Sequence, residues 1–219
     1  MLKVLITGGN RGIGLELARQ YAARGDQVIV ACRHQGPELA ELGVRVIDDV
    51  DVTSDQSVSA LAAALQGMQL DRLINNAGIL ERDSLDDLNY AEIEQQFRVN
   101  SIGPLRLTAV LRGNLSSGSK VFIVTSRMGS IEDNNSGGYY GYRMSKAAVN
   151  IAGKSLSIDL KSDGIGVFQL HPGMVATDMT GHQGTPVEDS ASGLIARMDE
   201  LDIAQTGTFW HQEGYALPW

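Results

Sequence analysis

The sequence predicts an α/β fold: a doubly wound, parallel sheet of about seven strands in a single domain, with helices on both faces. Three observations carry that expectation. Short apolar runs alternate with helix-periodic stretches along almost the whole chain. The runs are continuously apolar rather than alternating, as strands covered on both faces must be. No repeat, low-complexity tract or linker interrupts the pattern, and 219 residues suit one domain better than two.

Leu2–Thr7 (LKVLIT) is the first expected strand. A glycine-rich turn follows, then a helix from Gly12 to about Arg24, with Ile13, Leu17, Ala18 and Tyr21 at helical spacing and Gly25 as its stop. Gln27–Cys32 and Val44–Ile47 are the next two strands, joined by a connection short enough for only a turn or two of helix. Ser54 is placed to cap a helix reaching about Leu65. Asp71–Asn75 is the fourth strand. A long helix is expected over Tyr90–Leu111, bent at Gly103-Pro104 because proline cannot donate to the turn before it. Lys120–Thr125, a helix over Tyr142–Leu160, Gly166–His171, a helix over Val187–Leu201 and a last strand over Gly207–His211 complete the order. Ser116–Ser119 and Asn134–Gly138 read as loops within the domain.

Composition narrows the function classes. Net charge is −8, which argues against nucleic acid or an anionic membrane as the main partner. No segment approaches the length of a membrane span, and the apolar start is too short for a secretory signal. Cys32 is the single cysteine, so no internal disulfide can form and a reducing, cytoplasmic setting is the expectation. His34, His171, His182 and His211 are scattered, and no metal site is expected.

The first strand runs into Thr7-Gly8-Gly9-Asn10-Arg11-Gly12-Ile13-Gly14. Glycines let the backbone turn sharply and approach a pyrophosphate, and the helix that follows offers free N–H groups and a positive dipole end. The bland reading is a tight turn without a ligand; the position, after the first strand and before a helix, favours the phosphate. Arg11 lies in this turn. Arg33 follows the second strand, where an NAD-binding domain of Rossmann type would carry a carboxylate for the ribose hydroxyl. Guanidinium groups at both places suit a 2′-phosphate instead, so NADPH (NADP+) is the expected cofactor.

Tyr142-Arg143-Met144-Ser145-Lys146 puts a phenol and an ammonium one helical turn apart on one face. A phenol titrates near ~10 in water, and a neighbouring cation is expected to lower that value, making Tyr142 a proton donor or acceptor. Alone the pair could be a surface tyrosine over a lysine. Ser126, at the end of the fifth strand, would stand at the same carboxyl edge of the sheet and could hydrogen-bond a substrate oxygen. Tyr139 and Tyr140 have Arg143 and Met144 four residues on, so they are expected to edge the pocket rather than carry protons.

The threonine-glycine turn, Asn75-Asn76-Ala77-Gly78, Ser126, Tyr142 and Lys146, in this order and spacing across Leu2–Thr177, resemble the short-chain dehydrogenase/reductase family. The resemblance implies a cofactor lined by Gly8, Asn10, Arg11, Gly12, Ile13 and Gly14. Asp51 and Val52 would flank the adenine, and Asn76, Ala77 and Gly78 would line the cleft. Tyr142 and Lys146 would meet the nicotinamide ribose, and Pro172, Gly173, Val175 and Thr177 the nicotinamide end. Asn100 would hold a water in the proton relay. Blander roles stand beside these: a helix cap for Asp51, a kink for Asn100, a plain turn for Pro172-Gly173.

Only about ten residues separate Thr177 from the helix at Val187, a short lid that implies an open pocket. Met174, Met179 and Tyr139 are candidate linings. The ending Gly207-Thr208-Phe209-Trp210-His211…Leu217-Pro218-Trp219, with Ser126–Ile131 and Asn134–Tyr139, is similar to the C-factor and sniffer-like subgroup. That likeness implies NADPH-dependent reduction of aldehydes, ketones or quinones. The alternative is an NADPH-binding signalling or redox-sensing protein with little turnover. An epimerase would need a larger carboxyl-terminal region, and a serine hydrolase the elbow glycines that Ser126 lacks. A homodimer through the two long helices is expected.

Overall fold

The computed structural model describes residues 1–219. Seven strands form one sheet: β1 Lys3–Thr7, β2 Gln27–Ala31, β3 Arg45–Ile47, β4 Arg72–Asn75, β5 Lys120–Val124, β6 Gly166–His171 and β7 Phe209–His211. Their order is β3-β2-β1-β4-β5-β6-β7, and every neighbouring pair is parallel. The order reverses between β1 and β4, so a crevice opens there beyond the strands' carboxyl ends, the usual ligand position in such sheets.

Successive strand residues face opposite sides, and each side has its own core. Val4, Ile6, Val30, Phe122 and Phe168 pack against Leu17 and Tyr21 of α1 (Gly12–Ala23) and Leu194 and Met198 of α7 (Val187–Glu200). Leu5, Ile29, Leu73, Val121 and Ile123 face α3 (Asp55–Ala64), α5 (Gly103–Val110) and α6 (Tyr140–Asp159) through Leu61, Leu107 and Val149. The short second connection holds a single five-residue helix, α2 (Pro37–Glu41). Ser54 caps α3 as expected, its hydroxyl accepting from Ser57 N at 3.2 Å. No helix is long and apolar enough to cross a membrane.

Two expectations need correction. The helix over Tyr90–Leu111 is not one bent rod: α4 (Tyr90–Phe97) passes into a π-helical segment, Arg98–Ile102, before α5 resumes. Pro104 has no N–H to offer the Asn100 carbonyl four residues earlier, and the wider turn absorbs that break. The sixth helix starts at Tyr140, not Tyr142, because its first turn is capped from a distant loop. Asp83 accepts from the N–H groups of Tyr140 and Gly141 (2.9 Å for the latter), and Tyr139 enters the helix in a left-handed conformation, φ 52°.

Candidate active site

The cofactor side is built by fastening the glycine turn to the end of β4. The Thr7 hydroxyl accepts from Asn76 N at 3.1 Å and Ala77 N at 3.2 Å. The Asn76 carboxamide donates back to the carbonyls of Thr7 and Gly8, both at 3.1 Å. Gly8 has φ +67°, and a Cβ there would lie 2.9 Å from the Ala77 Cα, so only glycine fits. Gly12, also left-handed, opens α1. No side chain caps this helix and its first turn carries no acid. Its free N–H groups and positive end are left for an anion, and the residues present therefore fit a dinucleotide pyrophosphate.

The remaining predicted cofactor residues lie around that turn. Asn10 Nδ2 donates to the His34 carbonyl at 3.0 Å, tying the turn to the loop after β2. Arg11 and Arg33 stand exposed on these two joined loops. Arg33 makes no ion pair, whereas Arg11 lies 3.3 Å from Asp178 across the cleft. Thr177 also spans it: a Cβ on Gly12 would meet the Thr177 methyl at 3.4 Å. The Pro172 carbonyl is fixed by Ser190 Oγ at 2.7 Å, and Val175 is buried, pairing with Thr185. Asp51 spends its carboxylate on the N–H and hydroxyl of Thr53, both at 2.8 Å, while Val52 is buried against Gly103. Met174 and Met179 are exposed beside the short lid.

At the carboxyl edge of the sheet the structure brings Ser126, Tyr142, Lys146 and Asn100 together, all buried. Ser126 follows β5, and its hydroxyl is near enough to the Tyr142 phenol to lower that group's pKa slightly. Lys146 Nζ lies 5.6 Å from the centre of the Tyr142 ring and donates to the Val124 carbonyl at 3.1 Å. Gly78 closes the group: a Cβ on it would lie 3.3 Å from Asn100 Oδ1 and 3.7 Å from Lys146 Nζ. The Asn100 carboxamide is engaged by its neighbours. Oδ1 accepts from Ile79 N at 2.9 Å, and Nδ2 donates to the Ile79 carbonyl at 2.9 Å and to Ser145 Oγ at 3.0 Å. Asn100 thus locks the π segment to both the β4 loop and the helix of Tyr142.

The electrostatics differ from the expectation drawn from spacing. Burial pushes Tyr142 up to about 12 against a smaller lowering by Ser126. Burial also brings Lys146 down to about 8. With both groups out of water, desolvation outweighs the attraction between phenolate and ammonium. Tyr142 is therefore held as the neutral phenol.

Four residues around the site have no local signal in the sequence. Asp83 caps the helix of Tyr142 and Lys146 from 57 residues away. His171 and His211 meet edge to face, ring centres 5.1 Å apart, only because β6 and β7 pair. Ser145 is recognisable only in hindsight, as the partner of Asn100.

Residues 2–187 match the short chain dehydrogenase family model. Over its full length the chain is 45% identical to the whole of 1-hydroxy-2-glutathionyl-2-methyl-3-butene dehydrogenase of Rhodococcus sp. strain AD45. Over 68% of its length it is 44% identical to the C-signal protein of Myxococcus xanthus, covering 93% of that protein. The NADPH-bound carbonyl reductase from chicken fatty liver superposes with a TM-score of 0.90 at 30% identity, covering 100% of this chain and 99% of that one. These likenesses agree with the subgroup seen in the sequence. The matched family, the parallel sheet and the joined turn together establish that the chain belongs to the short-chain dehydrogenase family of oxidoreductases.

Proposed function

We propose that the chain is an NADPH-dependent carbonyl reductase acting on aldehydes, ketones or quinones. The observation that carries this reading is the buried Ser126–Tyr142–Lys146 group at the carboxyl edge of the sheet, with Tyr142 neutral. NADPH would supply the hydride. Ser126 would hold the substrate oxygen, and the Tyr142 phenol would give that oxygen its proton as negative charge develops on it. Lys146, the adjacent cation, would stabilise the resulting phenolate, and Asn100 would keep the proton path in register. The uncapped start of α1 would take the pyrophosphate, with Arg11 and Arg33 on a 2′-phosphate. The NADPH-bound chicken enzyme supports the cofactor assignment.

The relative from Rhodococcus favours a second reading, in which the same residues run in the oxidative direction on an alcohol carried by a glutathione conjugate. An NADPH-binding signalling or redox-sensing protein with little turnover is a poorer fit, since a pure sensor needs none of Ser126, Tyr142 and Lys146. The one thiol, Cys32, is buried and pushed up to about 11, away from the thiolate that sensing needs. A cytoplasmic homodimer completes the proposal. Met144, Ile151 and Ile158 lie exposed two turns apart along α6, and Ile102, Leu105 and Val110 are exposed on the neighbouring segment.

The test is oxidation of NADPH, with NADH in parallel, by aldehydes, α-diketones and quinones, together with reduction of NADP+ by glutathione-conjugated alcohols. Carbonyl-dependent turnover that prefers NADPH is expected. Replacing Arg11 and Arg33 by alanine should raise KM for NADPH about tenfold or more and leave NADH nearly unchanged. Equal losses with both cofactors would refute the arginine assignment.

A further inference from the structure

The tail takes no part in the chemistry above, yet with the last residue of β7 it reaches the site at two points. After His211 the chain folds back: Trp210 bridges Ala216, and Leu217 N donates to the Phe209 carbonyl at 2.8 Å. This return carries Trp219 to the loop that leaves Ser126. The Trp219 ring stacks on buried Phe209, ring centres 5.6 Å apart. Its main-chain oxygen accepts three hydrogen bonds from that loop, from Ser130 Oγ at 3.0 Å and from the N–H groups of Ile131 and Glu132 at 3.1 Å each. Successive N–H groups converging on one oxygen form a nest, which fixes a loop at a single point.

The loop so fixed is the one beside the reacting groups. Ser126 Oγ accepts from Met128 N at 3.1 Å. Gly129 lies against the catalytic helix so closely that a Cβ on it would be 2.7 Å from the Lys146 carbonyl carbon. Ser130 Oγ accepts from Asp133 N at 3.1 Å, and Asp133 pairs with Arg127 at 2.7 Å. Contacts therefore run from Trp219 through Ser130 and Gly129 to Lys146. The second point lies on the other wall, where a Cβ on Gly173 would be 3.6 Å from His211 Nε2.

We infer that Trp219 is a positioning residue for carbonyl reduction: its main-chain oxygen sets the Arg127–Asp133 loop, and through it where a substrate carbonyl meets Ser126. The inference rests on the carbonyl-reductase reading. Small displacements at such a site are costly, because proton and hydride transfer need near-attack geometry.

The test compares the full chain with a chain ended at Leu217, with Ser130→Ala and with the conservative Trp219→Phe. Four quantities are read: KM and kcat with butane-2,3-dione, the Kd for NADPH, and hydrogen exchange of the NADP+-bound protein. Ending the chain at Leu217 should raise KM for the dione about tenfold and leave the NADPH Kd within about twofold. Exchange should quicken over Arg127–Asp133 and not at the glycine turn. Ser130→Ala should move the same quantities less, and Trp219→Phe should stay near the full chain. Unchanged exchange in both perturbed proteins would overturn the inference, as would a rise of KM and NADPH Kd together, the mark of a general loss of structure. If the shortened chain fails to fold, Ser130→Ala carries the same judgement. If the full chain reduces no carbonyl, the carbonyl-reductase reading fails, and the exchange data still decide whether Trp219 holds the loop.

Discussion

At the scale of single residues, the site places a phenol and an ammonium where each would be more stable uncharged. Lys146 titrates at about 8 when folded against an ordinary 10.5, so the unfolded chain binds more protons between those values. Stability contributed by this group therefore rises as pH climbs from about 8 to 10.5, and below 8 the buried ammonium is a standing cost of about 3 kcal/mol at most. Lys146→Met should remove that cost while depriving the Val124 carbonyl of its donor, for a net gain of about 1–2 kcal/mol near neutral pH. Urea unfolding should show the gain, together with near-complete loss of activity. A destabilised variant would mean that Lys146 is stabilising as a cation. The same titration should weaken carbonyl reduction above about pH 8, as the cation beside Tyr142 is lost.

The residues proposed for this chemistry can be picked out in sequence because local geometry determines their relation. Tyr142 and Lys146 share a helix face, and Ser126 and the glycines sit at strand ends. Their protonation is not legible, since burial depends on what the rest of the chain packs over them. Asp83 is hidden for the same reason: nothing near it in sequence shows that it will cap the helix of Tyr142.

Among the elements, the strands and most helices can be read from apolar periodicity, with ends shifted by a residue or two. The π segment cannot, because Gly103-Pro104 announces a break without saying which kind. Asn100 supplies the rest through its three hydrogen bonds. The β6–β7 pair makes a further element-scale demand. Burial, with help from neighbouring cations, holds His171 down at about 3. Its depressed value means the unfolded chain binds the extra proton between about 3 and 6.5, so stability is lost as pH falls through that window. Denaturation followed from pH 7 to 4 should show this loss, and His171→Gln should flatten the slope. An identical slope in the variant would assign the acid sensitivity to other groups.

For the whole molecule, one parallel sheet with separate apolar cores follows directly from the alternation of elements, and its switch point locates the cleft. An exposed apolar stripe along α6, repeated every seven residues at Met144, Ile151 and Ile158, is expected to be covered by a second copy. Light scattering should give a dimer mass, and Ile151→Glu with Ile158→Glu a monomer that still binds NADPH. A native monomer would exclude this interface.

The central claim is that Tyr142 delivers the proton in carbonyl reduction. Its most direct measurement is the rate of dione-dependent NADPH oxidation by the native protein and by Tyr142→Phe, side by side at neutral pH. Tyr142→Phe should lose roughly 10²–10⁴-fold in kcat with NADPH affinity preserved. A Tyr142→Phe protein that keeps the native rate would contradict it.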